Sequence, residues 1–140
     1  MGCLHQTFVP SIRKLTGVYN ARGTLAGELA YAVGKLSGRV HCGLCDITHG
    51  LWLRERAEWR EQRVRLPVPF ELVHLDERSP EVVRACPAAP CVLAHTDDGV
   101  VALLGPAEID ACAGGPQALV AAVERAVGAR GLTFASPTAA

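Results

Sequence analysis

Ten consecutive residues, HCGLCDITHG (41–50), place two cysteines and two histidines close together in the chain. Cys42 and Cys45 have the C-x-x-C spacing that serves either a redox dithiol or half of a metal site. In a redox dithiol, Cys42 would attack a disulfide as a thiolate and Cys45 would resolve the mixed disulfide. His41 would support Cys42 by lowering its pKa. Gly50 opposes a continuous helix after Cys45, and therefore opposes strong activation by a helix dipole.

The same segment also supports a metal-binding hypothesis. His41, Cys42, Cys45 and His49 offer two imidazoles and two thiolates, the ligand types that zinc and Cu(I) prefer. A single ten-residue loop is compact for such a site, because structural zinc sites usually draw ligand pairs from separate elements. Redox chemistry, zinc or copper binding, and a binding module with incidental thiols all stay open at this point.

Another group of donors comes later in the chain. Cys86, Cys91 and His95 form a second set, and the sequence does not show whether the two sets meet. Cys86 and Cys112 stand in apolar surroundings, where cysteine usually behaves as a small buried hydrophobic residue.

Composition narrows the classes of function. The chain has 140 residues, with 14 basic and 14 acidic side chains, so no net charge attracts nucleic acid. It has neither an 18-residue apolar stretch nor a secretory leader pattern, so we expect a cytoplasmic protein without membrane contact. In a reducing compartment, six cysteines favour redox or metal chemistry over a disulfide framework.

The pattern along the chain predicts one α/β domain over residues 14–128, between flexible tails at 1–13 and 129–140. A strand is expected at 15–20. An amphipathic helix should follow at 24–37, and a second helix at 51–65, with its tryptophans packed on the sheet.

The second half has clearer local signals. The apolar run FELVHL (70–75) predicts a buried strand, and Ser79-Pro80 predicts the start of a short helix. Asp98-Gly99 separates the apolar runs CVLAH and VVALL, which predicts a β-hairpin. Pro116 begins a last helix. Its buried residues are expected to be Leu119, Val120, Val123 and Val127.

This order of elements, over about 68–127, resembles the C-terminal half of a thioredoxin-like domain. The resemblance implies a central four-stranded mixed sheet, helices on both faces, and a C-terminal hairpin followed by a helix. It also implies that Pro90, directly before the first hairpin strand, is cis and faces the redox dithiol. Cys42-Gly43-Leu44-Cys45 would correspond to the C-G-x-C motif, and Cys91 would be a third thiol in the site.

The resemblance leaves two registers open for the first strand. In one, SGRVH leads directly into Cys42. In the other, LTGVYN is that strand and the dithiol lies in an inserted loop after the first helix. YNARG followed by C-x-L-C-x-x-T-x-G also resembles a group of small, uncharacterised bacterial proteins, which brings no activity with it.

The expected function is therefore thiol–disulfide exchange by Cys42 and Cys45 next to Pro90, with His41, His49 and Cys91 in supporting roles. Such a protein needs no cofactor. Its partner would be a protein or small-molecule thiol or disulfide. The alternatives are zinc or copper binding by the histidine and cysteine loop, or a non-catalytic binding module.

Overall fold

A computed structural model describes residues 9–20, residue 44 and residues 57–135 of the chain. Within these residues, five strands and four α-helices follow one another, with a short 3-10 turn over Leu75–Glu77. In chain order they are β1 Ser11–Val18, α1 Ala57–Val64, β2 Phe70–Val73, α2 Pro80–Ala85, β3 Cys91–Thr96, β4 Gly99–Leu104, α3 Pro106–Asp110, α4 Pro116–Ala129 and β5 Thr133–Phe134.

The strands form one mixed sheet in the order β2-β1-β3-β4. β1 runs parallel to β2 and antiparallel to β3, and β4 is antiparallel to β3. The short β5 pairs in parallel with the beginning of β1. The predicted α/β class is confirmed, and β5 adds a fifth strand to the four that were expected.

Helices cover both faces of the sheet. Leu15 and Val92 belong to one apolar cluster, which includes residues of α1, α3 and α4, whereas Val18 and Cys91 belong to a second cluster with Val82 of α2. Neighbouring strand residues point to opposite faces, so the two clusters lie on opposite sides of the sheet. The faces are named below by their helices, the α1/α4 face and the α2 face.

The local signals of the second half gave the correct elements. The Ser79 hydroxyl accepts a hydrogen bond from the Val82 backbone N–H at 3.3 Å, so it caps α2 as predicted. The hairpin turns at Asp97-Asp98, and Gly99 has a φ of 116°, which favours glycine. All four residues predicted for the buried side of the last helix are buried: Leu119, Val120, Val123 and Val127.

The described part of the second helix also agrees with its prediction. Trp59 in α1 is fully buried, and its ring meets that of Phe70 edge-on, with centroids 4.9 Å apart. This geometry suits the quadrupoles of two aromatic rings, so α1 is held against β2. The helix predicted at 24–37 and Trp52 lie outside the described residues.

Two boundaries differ from the prediction. β1 begins at Ser11, inside the predicted N-terminal tail, because Ile12 is fully buried and its backbone pairs with Phe134 of β5. β5 itself falls in the predicted C-terminal tail. The short helix α3, which has Pro106 in its first turn, was not predicted. None of the helices among the described residues has the length and apolar character needed to cross a bilayer.

Gly17 makes room for the core of the α1/α4 face. A Cβ atom at this position would lie 2.9 Å from Leu72 Cδ2, 3.0 Å from Phe70 Cε1 and 3.1 Å from Leu44 Cδ2. Leu44, which stands between the two cysteines of the C-x-x-C motif, is fully buried there. The missing side chain at Gly17 therefore lets Leu44 pack directly over the central strand.

We expect Gly17→Val to destabilise the fold by about 1–3 kcal/mol, because the added atoms would overlap Leu44, Leu72 and Phe70. Gly17→Ala should have a smaller effect, since the ends of the two leucine side chains can shift. Chemical denaturation of the purified variants measures both free energies of unfolding.

A matched control is Gly128→Ala in α4, where an added Cβ meets no atom within 4 Å. This change should stabilise the protein by up to about 1 kcal/mol through helix propensity. Equal stability of Gly17→Val and the wild-type protein would contradict the close packing of Leu44 over β1.

Candidate functional site

The candidate site lies at one edge of the sheet, where β1 and β2 end and β3 begins. Val18, the last residue of β1, pairs with Cys91, the first residue of β3. The Tyr19 backbone N–H donates to the Val73 carbonyl at 2.9 Å, so the ends of β1 and β2 are held side by side. The carboxyl ends of adjacent parallel strands are a frequent location of binding sites in α/β proteins.

Pro90 stands at this edge directly before β3. Its side chain is buried, and the Ala89–Pro90 peptide bond is cis. The resemblance to thioredoxin-like domains implied this isomer. Through Cys91, Pro90 adjoins the end of β1.

The structure shows which segment is the strand between β2 and β3. Ser11–Val18 pairs with both of them, so LTGVYN, and not SGRVH, precedes the edge at which Pro90 lies. The C-x-x-C motif therefore does not follow β1 directly in the sequence. This is the second of the two registers. His41, Cys42, Cys45 and His49 lie outside the described residues, so their assignment to the site stays a prediction.

Leu44 connects the motif to this framework. Its buried side chain lies over Gly17, one residue before Val18, on the α1/α4 face. Cys91 belongs to the cluster on the α2 face. The described residue of the motif and the predicted third thiol are therefore on opposite faces of the sheet.

Cys91 is fully buried, in the same apolar cluster as Cys86. Burial, with a smaller contribution from the neighbouring Cys86, raises the pKa of the Cys91 thiol to about 12, against an opposing effect of Arg78. Cys91 is consequently protonated at neutral pH. By itself it is a poor nucleophile.

A polar group at the same edge was missed by the sequence analysis. Tyr19 is buried with its ring centroid 5.3 Å from that of His74, which follows β2. The His74 backbone N–H donates to Glu77 Oε1 at 2.9 Å, and the His74 ring contacts the same oxygen. These hydrogen bonds hold the pKa of Glu77 below its usual value, and the one from the His74 backbone has the largest effect. The sequence signal that could have predicted this group is a histidine directly after a strand, followed three residues later by a glutamate.

The second predicted donor set does not come together. Cys91 and His95 are four residues apart on one strand, which corresponds to about 13 Å. His95 Nε2 instead lies 2.7 Å from the Thr16 hydroxyl oxygen. Among residues 9–20, 44 and 57–135, no three His, Cys, Asp or Glu side chains are grouped to hold a metal ion.

Cys112 follows α3 and belongs to the apolar cluster of the α1/α4 face. It is buried, its thiol donates to the Glu108 carbonyl at 3.5 Å, and burial raises its pKa. Cys86 is buried as well. Both cysteines are therefore in the buried environment that was predicted for them.

A scan against protein-family models, a search of curated proteins and a search of solved structures each find no match to this chain.

The environment of His95 predicts a dependence of stability on pH. Burial lowers the pKa of His95, and the Lys14 charge lowers it further, whereas Glu71 and Glu81 act in the opposite direction. The unfolded chain therefore takes up this proton at a higher pH than the folded chain. Stability should fall as the pH decreases below about 6.5, the ordinary histidine pKa, towards the lower folded value.

We expect NMR titration to give His95 a pKa below that of an unfolded peptide, and Lys14→Gln to raise it. In His95→Gln, stability should decline less between pH 7 and pH 5 than in the wild-type protein. An unshifted His95 titration, or an unchanged decline in the variant, would show that burial does not disfavour the protonated ring.

Proposed function

We propose that the chain is a thioredoxin-like domain in which Cys42 and Cys45 carry out thiol–disulfide exchange at the sheet edge next to Pro90. The single observation that carries this proposal is the burial of Leu44 over Gly17. Leu44 separates the two cysteines in the sequence, and Gly17 lies one residue before the end of β1. Anchoring Leu44 at this position ties the motif to the strand whose end adjoins Pro90.

The topology gives independent support. A parallel β1–β2 pair, an antiparallel β3 on the other side of β1, and a β3–β4 hairpin followed by helices agree with the arrangement that the resemblance implies. Helices on both faces agree as well. The short α3 between the hairpin and α4 is an addition to this arrangement.

The proposed reaction is an exchange between the dithiol and a partner disulfide. The Cys42 thiolate attacks one sulfur of the partner, forming a mixed disulfide and releasing the other partner sulfur as a thiolate that takes up a proton. Cys45 then loses its proton and attacks Cys42, which releases the second partner thiol and leaves a Cys42–Cys45 disulfide. Two electrons pass from the dithiol to the partner.

Cys91 does not take part in this proposed reaction as a third nucleophile. Its thiol is fully buried on the α2 face, and its raised pKa keeps it protonated. Leu44 lies on the α1/α4 face. The reacting pair is therefore restricted to the cysteines of the C-x-x-C motif.

We expect redox titration of the purified protein, followed by alkylation and peptide mapping, to show a reversible two-electron couple on the peptide that contains Cys42 and Cys45. Cys42→Ser should abolish this couple, because no disulfide can then form within the motif. Cys112→Ser is the matched control and should leave the couple unchanged, since Cys112 is a buried cysteine outside the C-x-x-C motif.

The competing metal hypothesis is tested on the same preparations. Protein made without chelators is assayed for zinc and copper, and its thiols are then counted. About one metal ion per chain that is lost in Cys45→Ser would favour a thiolate–imidazole site instead. Absence of a Cys42–Cys45 couple over the range of glutathione potentials would also overturn the redox proposal.

A further inference from the structure

A second pair of thiols lies on the α2 face of the sheet, at the two ends of the short segment CPAAPC. Cys86 directly follows α2 as its C-cap residue, and its backbone N–H donates to the Val82 carbonyl at 3.0 Å. Cys91 is the first residue of β3. The segment between them turns back so that the two side chains meet in one apolar cluster.

The two side chains are neighbours in this cluster, and both residues are free cysteines. Burial and the neighbouring Cys86 both raise the pKa of the Cys91 thiol, so the two thiols interact. Cys86 also donates to the Ala88 carbonyl at 3.4 Å, which keeps its sulfur over the turn. The two cysteines are five residues apart in the sequence, and both side chains are buried in the same cluster, so closing a disulfide would draw on a short segment that already turns back on itself.

We propose that Cys86 and Cys91 form a reversible disulfide when the protein meets a hydroperoxide. This bond would be a second redox centre, separate from Cys42 and Cys45, and it would close the segment that carries Pro90 into a covalent ring. The proposal does not depend on the proposed function of the C-x-x-C motif.

The two thiols have different roles in the reaction. Cys86 is 9% exposed and Cys91 is fully buried, so the oxidant reaches Cys86 first. The Cys86 thiolate attacks the peroxide oxygen, the O–O bond breaks, and Cys86 becomes a sulfenic acid while the leaving oxygen takes up a proton. The Cys91 sulfur then attacks the Cys86 sulfur, the S–O bond breaks, and water leaves with the Cys91 proton.

The electrons balance in this sequence. Each thiol loses one electron and one proton. The hydroperoxide takes up the two electrons and two protons and gives one water molecule together with an alcohol, or two water molecules when the oxidant is hydrogen peroxide. Oxidation of Cys86 also removes the thiolate charge that disfavours ionisation of Cys91, while Arg78 continues to favour it. Because both cysteines belong to one chain, the attack of Cys91 on the oxidised Cys86 is intramolecular and has a high effective concentration.

The proposal is tested by treating the full-length protein with hydrogen peroxide, blocking the remaining thiols with an alkylating reagent, and digesting with trypsin and Asp-N. Cleavage after Arg84 and before Asp97 gives the peptide 85–96, which contains Cys86 and Cys91 and none of the other cysteines. We expect this peptide to be lighter by two hydrogen atoms and not alkylated. A dithiol reductant should restore both reactive thiols.

Two variants with opposite expected results complete the test. Cys112→Ser replaces an equally buried cysteine elsewhere in the fold and should leave the bridge intact. Cys86→Ser should abolish it. The same mapping on Cys42→Ser/Cys45→Ser separates this centre from the motif, because the bridge should form there to the same extent.

Recovery of peptide 85–96 with both thiols alkylated, or with oxygen added to Cys86 and no bridge, would overturn the proposal. So would a bond from either cysteine to a different partner. Because the mapping works on the wild-type chain, these results can be obtained even where a variant fails to fold.

Discussion

The position of β1 between β2 and β3 is the constraint on which the rest of the structure depends. Its backbone is hydrogen-bonded along both sides, and helices cover both faces, so successive residues are buried in alternate directions. Leu15 and Val18 serve opposite apolar clusters. Gly17 must stay small because three apolar side chains meet above it. No residue in the second half of this strand is free to face solvent.

This burial also explains the contact between Thr16 and His95. Thr16 is 2% exposed, and a buried hydroxyl without a partner would cost about 1–3 kcal/mol. His95 on β3 supplies the partner at 2.7 Å, with its own pKa lowered by burial. In the sequence, His95 is a candidate metal ligand. In the structure it is the hydrogen-bond partner of a buried hydroxyl on the central strand.

The sequence predicts the second half of the fold better than the first because the signals there are local. Ser79 caps its helix, and the hairpin turn at Asp97-Asp98, directly before Gly99, is held by the Asp98 backbone N–H donating to the Thr96 hydroxyl, so both signals act within a few residues. The choice between LTGVYN and SGRVH as the first strand depends instead on pairing with β2 and β3, which is distant in sequence. β5 consists of two residues whose pairing depends on Ile12 and Ser11, so no local pattern could reveal it.

The candidate site likewise has features that follow from local sequence signals and features that depend on contacts between distant segments. The position of Pro90 before the hairpin could be predicted, since it follows from the order of elements. The face of the sheet on which each side chain lies could not be predicted, because it depends on packing between elements distant in sequence. In the structure, Cys91 and Cys86 belong to the cluster on the α2 face, and Leu44 belongs to the cluster on the α1/α4 face.

Burial governs the chemistry of the Cys86 and Cys91 thiols. A buried pair such as Cys86 and Cys91 reacts only after an oxidant has reached its more exposed member, because the buried thiol stays protonated. An exchange dithiol must instead meet a partner disulfide at the surface. Cys91 follows Pro90 at the edge where β1 ends, so a Cys86–Cys91 bond would change the covalent connections of that edge.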